Sequence, residues 1–185
     1  VELAEGRRQF DVNLFGLARM TQLVLPGMRA AGRGRIINVS SIGGQMYEPL
    51  GAWYHATKFA VEGLSDSLRI ELKPHGIDVS IIEPSGTASE WGAISGDSLL
   101  ATSGRGPYMD QAKVVAAALA STVNSSMSTP PDVIADAIVH AATSPKPKTR
   151  YPVGKGARAI LLLRRLLPDR VFDVVIWKIY QRFPA

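Results

Sequence analysis

A tyrosine and a lysine four residues apart, Tyr54 and Lys58, have the spacing that proton-transfer chemistry needs. Positions four apart share one face of a helix, so the phenol and the ammonium would lie side by side. A free tyrosine keeps its proton until about pH 10, and a nearby cation favours the phenolate and lowers that pKa. Tyr54 would then exchange a proton with an alcohol or a carbonyl oxygen. The alternative is an ordinary exposed pair on a helix surface.

Two further polar residues, Ser41 and Asn13, have both a chemical and a purely structural explanation. Ser41 lies thirteen residues before Tyr54, directly after a predicted strand, and ligands of open α/β sheets bind beyond the carboxyl ends of strands. Its hydroxyl would donate to a substrate oxygen that gains negative charge, or it would only make a turn. Asn13 lies in a predicted helix, where a buried amide needs a partner; otherwise its side chain is exposed or bonded locally.

The periodicity of apolar residues predicts the elements that position these side chains. Helical spacing predicts helices over 5–30 and 52–74, and β-rich runs predict buried strands over 35–40 and 77–82. The alternation of helix and strand with short turns favours a parallel α/β sheet. In the second helix, five apolar residues are expected to form a buried stripe: Phe59, Val61, Leu64, Leu68 and Leu72.

The second half of the sequence is less regular. Residues 87–131 are rich in Gly, Ser and Ala, and only one helix, over 109–123, is predicted there. Connections of that length inside a domain tend to be lids or substrate loops. A helix over 132–142 and an edge strand over 149–153 are expected to follow.

The positive net charge of +5 comes from the C-terminal tail. From Lys146 onward, ten Lys and Arg residues stand against two Asp. Apolar and basic residues are mixed over 157–182, which predicts two helices divided at Pro168. No nucleic-acid-binding motif accompanies the charge, so we expect no nucleic-acid partner.

Composition excludes several classes of function. The chain has no cysteine, which excludes disulfides, thiolate catalysis and cysteine-ligated metals. No two of the three histidines have metal-site spacing, so we expect no metal. The sequence shows neither a signal-peptide pattern nor an uncharged apolar run that would span a bilayer, and we expect a cytoplasmic location.

Three segments resemble the short-chain dehydrogenase/reductase family in their order and spacing: 10–16 (FDVNLFG), 34–41 (GRIINVSS) and 54–58 (YHATK). Residues 82–87 (IEPSGT) are similar to the Pro-Gly turn after the family's next strand. The resemblance extends essentially through Tyr151. It implies an α/β, doubly wound, Rossmann-like parallel sheet, of which this chain supplies the second half and the C-terminal helices.

The resemblance implies a hydride transfer between NAD or NADP and the alcohol or carbonyl of an apolar small molecule. Tyr54 would be the catalytic acid/base, and Ser41 would polarise or position the substrate oxygen. Lys58 would bind the nicotinamide ribose and lower the pKa of Tyr54. Asn13 would hold a water beside Lys58 as part of a proton relay.

The same resemblance implies a set of cofactor-binding residues. Pro84, Gly86 and Thr87 would lie along the nicotinamide, and Ser89 would lie near the phosphates. Asn13, Tyr54 and Lys58 complete the set. The choice between NAD and NADP stays open, because the residue that makes it follows the family's second strand.

This sequence departs from the family's pattern in two ways. Ser85 stands where the family usually has glycine. The Gly-rich turn and first four strands of the family are not in this chain, and neither 32–34 nor 154–156 has the strand–turn–helix context to replace them. We therefore expect residues 1–185 alone neither to bind the dinucleotide tightly nor to turn over.

Residues 1–155 are predicted to be the catalytic part of one Rossmann-like domain, and 156–185 its helical extension. The resemblance implies a homodimer or homotetramer that forms through the two long helices. The tail has three interpretations. It would cap the substrate pocket, make a peripheral contact with an anionic membrane, or pack ordinarily with three arginines in solvent, namely Arg164, Arg165 and Arg170.

Two other functions compete with the dehydrogenase interpretation. A non-catalytic member that binds a nucleotide or regulates a partner is disfavoured, because all four residues of the catalytic set are present. An epimerase or dehydratase of the same fold is disfavoured by the short C-terminal part. Trp53 and Trp91 flank the expected pocket, and they either line it or belong to the core.

Overall fold

The computed structural model describes residues 1–121 and 128–183. Its main elements are eight α-helices and three strands within those residues. The helices are α1 (Leu3–Phe10), α2 (Leu17–Ala31), α3 (Ala52–Leu72), α4 (Trp91–Ser103), α5 (Met109–Ser121), α6 (Pro131–Thr143), α7 (Ala157–Leu166) and α8 (Asp169–Tyr180). The strands are β1 (Gly34–Val39), β2 (Ile77–Pro84) and β3 (Arg150–Val153).

The three strands form one parallel sheet in the order β1-β2-β3. One face of the sheet packs through Ile36 and Val79 against Leu25 of α2 and Leu72 of α3. Because side chains alternate along a strand, the opposite face carries a second apolar cluster, in which Ile82 packs with the buried Ala141 of α6. The sheet is therefore covered by helices on both faces, which confirms the predicted α/β class with an incomplete, Rossmann-like sheet.

The first predicted helix is continuous but irregular. Between α1 and α2 the chain forms a π-helical segment, Asp11–Gly16, and Pro26 lies inside α2 without ending it. A π-helical turn widens the backbone and is frequent at functional sites. Asn13 lies in the middle of this segment. The sequence pattern predicted the helix and not the wide turn.

Helix α4 is the element that the sequence pattern missed. Gly92 and Gly96 lie within it. Glycine has a low intrinsic helix propensity, so the local sequence does not predict a helix here. Both glycines are buried, and a Cβ on Gly96 would lie 3.4 Å from the carbonyl oxygen of Ala116 in α5. The glycines allow α4 and α5 to pack closely. The helix predicted over 109–123 is found as α5, and residues 122–123 lie outside the described residues.

The apolar stripe predicted for α3 is only partly correct. Val61 and Leu72 are buried, but 44% of Phe59 is exposed. The buried face of α3 is largely polar instead: His55, Thr57, Glu62 and Ser65 all point inward. These residues face the loop and strands that carry the candidate site, which explains their burial.

The tail forms two helices separated at Pro168, as predicted. Phe172, Ile176 and Tyr180 of α8 are buried in a cluster with Met46, which lies in the loop before α3. The expectation that Arg164 lies in solvent is wrong. Its guanidinium is 2.8 Å from the Asp169 carboxylate and stacks over the rings of Tyr47 and Phe172.

Within residues 1–121 and 128–183, no helix has the length and apolar character that a membrane crossing requires. The same residues contain no group of three or more His, Asp or Glu side chains arranged to hold a metal ion.

Candidate active site

The candidate site is formed where the carboxyl ends of β1 and β2 meet the first turns of α3. Ser41 follows β1, and its hydroxyl accepts a hydrogen bond from the Gly43 amide at 3.0 Å. The same oxygen lies 3.5 Å from the carbonyl of Pro84 at the end of β2. The hydroxyl of Tyr54 lies near that of Ser41, and this neighbour lowers the pKa of Tyr54. The two hydroxyls, thirteen residues apart in sequence, therefore meet at one point.

The loop between Ser41 and Tyr54 is held against α3 by His55. The ring Nδ1 of His55 donates to the carbonyl of Gly43 at 2.9 Å, and its Nε2 accepts from the amide of Glu48 at 3.0 Å. This pair of bonds fixes a neutral tautomer. Gly44 is needed here, because a Cβ would lie 2.7 Å from the hydroxyl oxygen of Ser40.

Tyr54 is half-buried, and its ring packs against Trp91 with 5.2 Å between ring centroids. Burial raises the pKa of Tyr54; the neighbouring Ser41 hydroxyl acts against this rise, and the charge of Glu48 adds to it. Lys58 is not among the causes of this shift, so the lowering by Lys58 stays a prediction for the complete enzyme. Tyr54 carries its proton at neutral pH.

Lys58 lies beside Tyr54, as the spacing predicted. Its Nζ is 5.9 Å from the centre of the Tyr54 ring and donates to the carbonyl of Val39 at 3.1 Å. Burial lowers the pKa of Lys58, and the carboxylate of Glu62 partly opposes that change. The ammonium is thus held at the end of β1, next to the two hydroxyls.

Asn13 is joined to the site through Thr57 rather than by direct contact with Lys58. Its amide nitrogen donates to the Thr57 hydroxyl at 3.1 Å, and that hydroxyl donates to the carbonyl of Tyr54 at 2.7 Å. Thr57 is fully buried. The π-helical segment brings Asn13 against the turn of α3 that contains Tyr54 and Lys58.

The turn after β2 contains Pro84, Gly86 and Thr87, which were predicted to lie along the nicotinamide. It is held on the segment around Thr129: the Thr129 amide donates to the Gly86 carbonyl, and the Thr87 hydroxyl donates to the Ser85 carbonyl, both at 3.0 Å. The turn is therefore rigid.

Ser85, the departure from the family's glycine, packs against Gly154. A Cβ on Gly154 would lie 2.4 Å from the Ser85 hydroxyl oxygen, and Gly154 has a φ of +100°. The Ser85 side chain therefore occupies the space left open by Gly154. Within the described residues, no contact of Ser85 distorts the turn.

Ser89 and Trp53 lie away from these residues. Ser89 is exposed just before α4, in a shallow depression that Glu90 and Asp97 also line. Acidic neighbours repel phosphate, so Ser89 is the weakest member of the proposed set. Trp53 packs beneath Gly6 and against Phe10, at the contact of α1 with α3. Of Trp53 and Trp91, only Trp91 packs its ring against the ring of Tyr54.

Sequence reasoning missed the buried polar partners of the site. His55 and Thr57 stand within the recognised motif but were assigned no role, and Glu83 was passed over at the end of a buried strand. A glutamate in the apolar run IIEP is itself a signal, because a buried carboxylate requires partners. The partner of Glu83, Gln45, is in a loop without any local pattern.

Chemically, the arrangement offers a protonated phenol and a second hydroxyl to one small polar group at the edge of the sheet. A carbonyl oxygen placed there would receive two hydrogen bonds, and one of the donors can give up its proton. The nearby ammonium supplies further N–H donors on the side of β1. Trp91, half-exposed, leaves an apolar surface beside the phenol.

The sequence is similar to several known oxidoreductases. A family model described as short chain dehydrogenase matches residues 1–97. The chain is 37% identical over 180 residues to the uncharacterized oxidoreductase YusZ of Bacillus subtilis, covering 96% of this chain and 64% of that protein. It is 35% identical over 176 residues to the uncharacterized oxidoreductase YbbO of Escherichia coli, covering 95% and 60%.

A third relative has a named substrate. The chain is 32% identical over 186 residues to an NADPH-dependent 3-dehydrocapnine reductase of Ornithobacterium rhinotracheale, covering 96% of this chain and 63% of the relative. The chain thus spans about three fifths of the length of these curated relatives.

Solved structures agree with the sequence matches. A short-chain dehydrogenase from Streptomyces avermitilis superposes with a TM-score of 0.70 at 29% identity, over 98% of this chain and 63% of that one. A 3-oxoacyl-[acyl-carrier protein] reductase from Brucella melitensis, solved with bound NAD, superposes with a TM-score of 0.54 at 29% identity, over 76% and 45%. The family model, the relatives and the shared architecture agree: the chain belongs to the short-chain dehydrogenase family.

Proposed function

We propose that this chain is the catalytic part of an NAD(P)-dependent oxidoreductase that reduces a carbonyl, or oxidises the corresponding alcohol, of an apolar small molecule. The observation that carries the proposal is that the strand ends and α3 bring the hydroxyls of Ser41 and Tyr54 together, with Lys58 Nζ 5.9 Å from the centre of the Tyr54 ring. Relatives named as oxidoreductases support it.

The residues present fit the nicotinamide end of such a cofactor. Lys58 Nζ makes one hydrogen bond within residues 1–121 and 128–183, to Val39, which leaves two of its three N–H donors for ribose hydroxyls. The turn with Pro84, Gly86 and Thr87 lies at the same corner, with the Pro84 carbonyl 3.5 Å from the Ser41 hydroxyl oxygen. The NAD(P) group supplies the hydride when bound.

At neutral pH, Tyr54 holds the proton that carbonyl reduction requires. Because burial raises the pKa of Tyr54, the phenol holds a proton that it can donate to the substrate oxygen. Ser41 donates a second hydrogen bond to that oxygen and orients it. Lys58 orients the cofactor, and Asn13 holds the Tyr54–Lys58 turn through Thr57 and binds a water beside Lys58.

Two features support an apolar substrate. Trp91 exposes about half of its surface next to the phenol. A relative of this chain is named for the reduction of 3-dehydrocapnine. We assign ketones with an apolar chain as the first substrates to test.

For the tail, residues 156–185, the contacts favour the role of a cap over a membrane contact. Helix α8 packs on Met46, and the Tyr47 hydroxyl donates to Asp173 at 2.9 Å, so the tail holds the loop that leads from Ser41 to Tyr54. Deletion of the tail would also remove the buried Phe172. A milder variant, Leu167→Ala, should raise KM for bulky ketones more than for small ones, whereas equal changes would indicate general destabilisation.

The experiment that tests the proposed function is turnover of NADH and NADPH with a panel of ketones, in a protein that includes the cofactor-binding part which the family has before these segments. Oxidation of either nucleotide that requires both a ketone and Tyr54 supports the proposal. Tight nucleotide binding without turnover across the panel would favour the non-catalytic alternative, and change of configuration without net oxidation would favour an epimerase.

A further inference from the structure

A buried group of ionisable side chains lies directly behind the candidate site. Glu83 of β2 is fully buried, and its Oε1 is 3.4 Å from Nε of Arg150 in β3. The Arg150 guanidinium also contacts Glu62 at 3.0 Å and Asp66 at 2.7 Å, both in α3. None of these side chains belongs to the proposed catalytic set.

The carboxyl groups of this cluster are unequally paired. Three carboxylates, Glu62, Asp66 and Glu83, have three cations near them: the guanidinium of Arg150, that of Arg69, which pairs with Asp66, and the ammonium of Lys58, which interacts with Glu62. Glu83 Oε2 is buried without a hydrogen-bond partner in the described residues. A buried, unpartnered charge is costly, so the group is best satisfied with one proton on the Glu62–Glu83 pair.

Burial raises the pKa of Glu83 to about 7, and the neighbouring carboxylate of Glu62 adds to the rise. The contacts with Gln45 and Arg150 oppose it, and Asp66 adds to it slightly. This agrees with the buried Glu83 Oε2 that has no hydrogen-bond partner in the described residues. Glu83 is the carboxyl group that changes its charge near neutral pH.

Glu83 is connected to both halves of the catalytic pair. On one side, the amide of Gln45 donates to its carboxyl group, and Gln45 follows the 3-10 turn Ile42–Gly44 that begins next to Ser41. Glu83 also precedes Pro84, whose carbonyl faces the Ser41 hydroxyl. On the other side, Arg150 links it to α3, at positions four and eight residues after Lys58.

We propose that Glu83 is a positioning residue, which holds the Ser41 hydroxyl against that of Tyr54 through Gln45 on one side and through Arg150 and Glu62 on the other. The proposal rests on the proposed function, because it concerns the geometry of that hydroxyl pair. Glu83 touches neither substrate nor cofactor in this assignment.

The test compares Glu83→Ala with Glu83→Gln in the complete enzyme. Glu83→Ala removes the acceptor for Gln45 and should lower kcat for ketone reduction about tenfold, equivalent to about 1.4 kcal/mol in the barrier. KM for NAD(P)H should change little, since Lys58 is untouched. Glu83→Gln keeps an oxygen for Gln45 and mimics the protonated acid, so it should restore most of kcat.

Gln45→Met provides a second variant if Glu83→Ala does not fold. It removes the amide donor on a half-buried side chain and should lower kcat to a similar degree. Glu71→Gln, an exposed change on α3, is the matched control and should leave kcat unchanged. Normal kcat per folded molecule in both Glu83→Ala and Gln45→Met would overturn the proposal.

A measurement without activity separates this proposal from the proposed function. Because the pKa of folded Glu83 lies above its unfolded value, the stabilisation from its proton is complete at low pH and is lost as pH rises through about 7. Urea midpoints of wild type should therefore fall relative to Glu83→Gln between pH 5 and about 8. A constant difference would overturn the assigned protonation. If Tyr54→Phe leaves turnover intact, the proposed function fails whatever these midpoints show.

Discussion

Helix α3 departs from the usual pattern of a surface helix on both of its faces, although Val61 and Leu72 are buried as expected. Its inward face carries polar side chains, His55, Thr57, Glu62 and Ser65, which are all buried. Its outward face exposes Phe59 and Ile70, with 44% and 73% of their surface accessible. An ordinary amphipathic helix has apolar residues inside and polar residues outside.

The difference shows that the two faces serve different purposes. Inside, each polar group has a partner fixed by the fold: the Asn38 amide donates to the Ser65 hydroxyl at 2.8 Å, and Thr57 bridges to Asn13. The inward face thus builds the site and connects it to β1. Outside, Phe59 and Ile70 lie eleven residues apart and so almost on one line along the helix. The family resemblance implies assembly through the long helices, and we propose that this row is the part of α3 that contacts a second chain.

The largest expected effect belongs to Tyr54 on the inward face. Tyr54→Phe removes only the hydroxyl, so kcat in the complete enzyme should fall by about 10²–10⁴-fold, the usual contribution of a general acid. Cofactor affinity should stay close to wild type, because Lys58 remains. Steady-state kinetics with a verified ketone provide the measurement.

Tyr47→Phe is the matched control for that variant. Its hydroxyl is also hydrogen-bonded, to Asp173, but lies against the tail and not beside Ser41. It should leave kcat within about twofold, since it removes no group that we assign to the proton transfer. Wild-type turnover by Tyr54→Phe would show that the acid/base assignment is wrong.

Lys58→Met should weaken cofactor binding by about 10–100-fold, because a hydrogen bond from a charged donor contributes about 1.5–3 kcal/mol. The alkaline limb of the pH–rate profile should also move upward, since loss of a nearby cation disfavours the phenolate. Fluorescence titration with NADPH and NADH measures the first effect. Lys113→Met, an exposed change on α5, controls for loss of charge.

Ser41→Ala separates the role of Ser41 toward the substrate oxygen from the role of Lys58 toward the cofactor. It should lower kcat and leave cofactor affinity unchanged, because the Lys58 ammonium is still present. The alkaline limb should move upward, since Ser41 lowers the pKa of Tyr54. Unchanged cofactor affinity in Lys58→Met would remove Lys58 from the cofactor site and leave it a structural role at the end of β1.

Thr57→Val tests whether the polar inward face also stabilises the fold. The change keeps the shape but breaks the link between Asn13 and Tyr54, which should lower the free energy of unfolding by about 1–2 kcal/mol. Urea denaturation followed by tryptophan fluorescence measures it. The Thr143 hydroxyl donates to the Val139 carbonyl on an exposed part of α6. Thr143→Val should therefore lower the free energy of unfolding by less. An equal loss in both variants would contradict the special role of Thr57.

The smallest effect on stability is expected on the outward face. Ile70→Glu should change the free energy of unfolding of the protomer by no more than about 0.5 kcal/mol, because the side chain is already in water. It should instead reduce the oligomer to a smaller species, as seen by analytical ultracentrifugation. Val139→Glu, an exposed apolar position on α6, should leave the assembly unchanged. If the oligomer stays intact in Ile70→Glu, the outward face of α3 takes no part in assembly.

Local patterns were sufficient for most of the elements and for the core of the site. The spacing of Tyr54 and Lys58 on one helix, and of Ser41 at a strand end, depends on residues close in sequence, and both placements agree with the structure. Helix α4 was not predicted, because Gly92 and Gly96 look unfavourable until their packing against α5 is known. The exposure of Phe59 was missed for the same reason. Apolar periodicity shows which residues share a face of α3, but not whether another element packs on that face.

By itself, the sequence determined the parallel α/β class, the order of the strands and of the helices other than α4, and a Ser–Tyr–Lys set placed by short-range spacing. Only the tertiary structure decided which groups surround that set: Thr57 between Asn13 and Tyr54, and Glu83 among Gln45, Glu62 and Arg150. Those contacts join residues up to 88 positions apart. Burial and electrostatics depend on such distant neighbours, so the direction in which the pKa of Tyr54 moves follows from the fold and not from the motif.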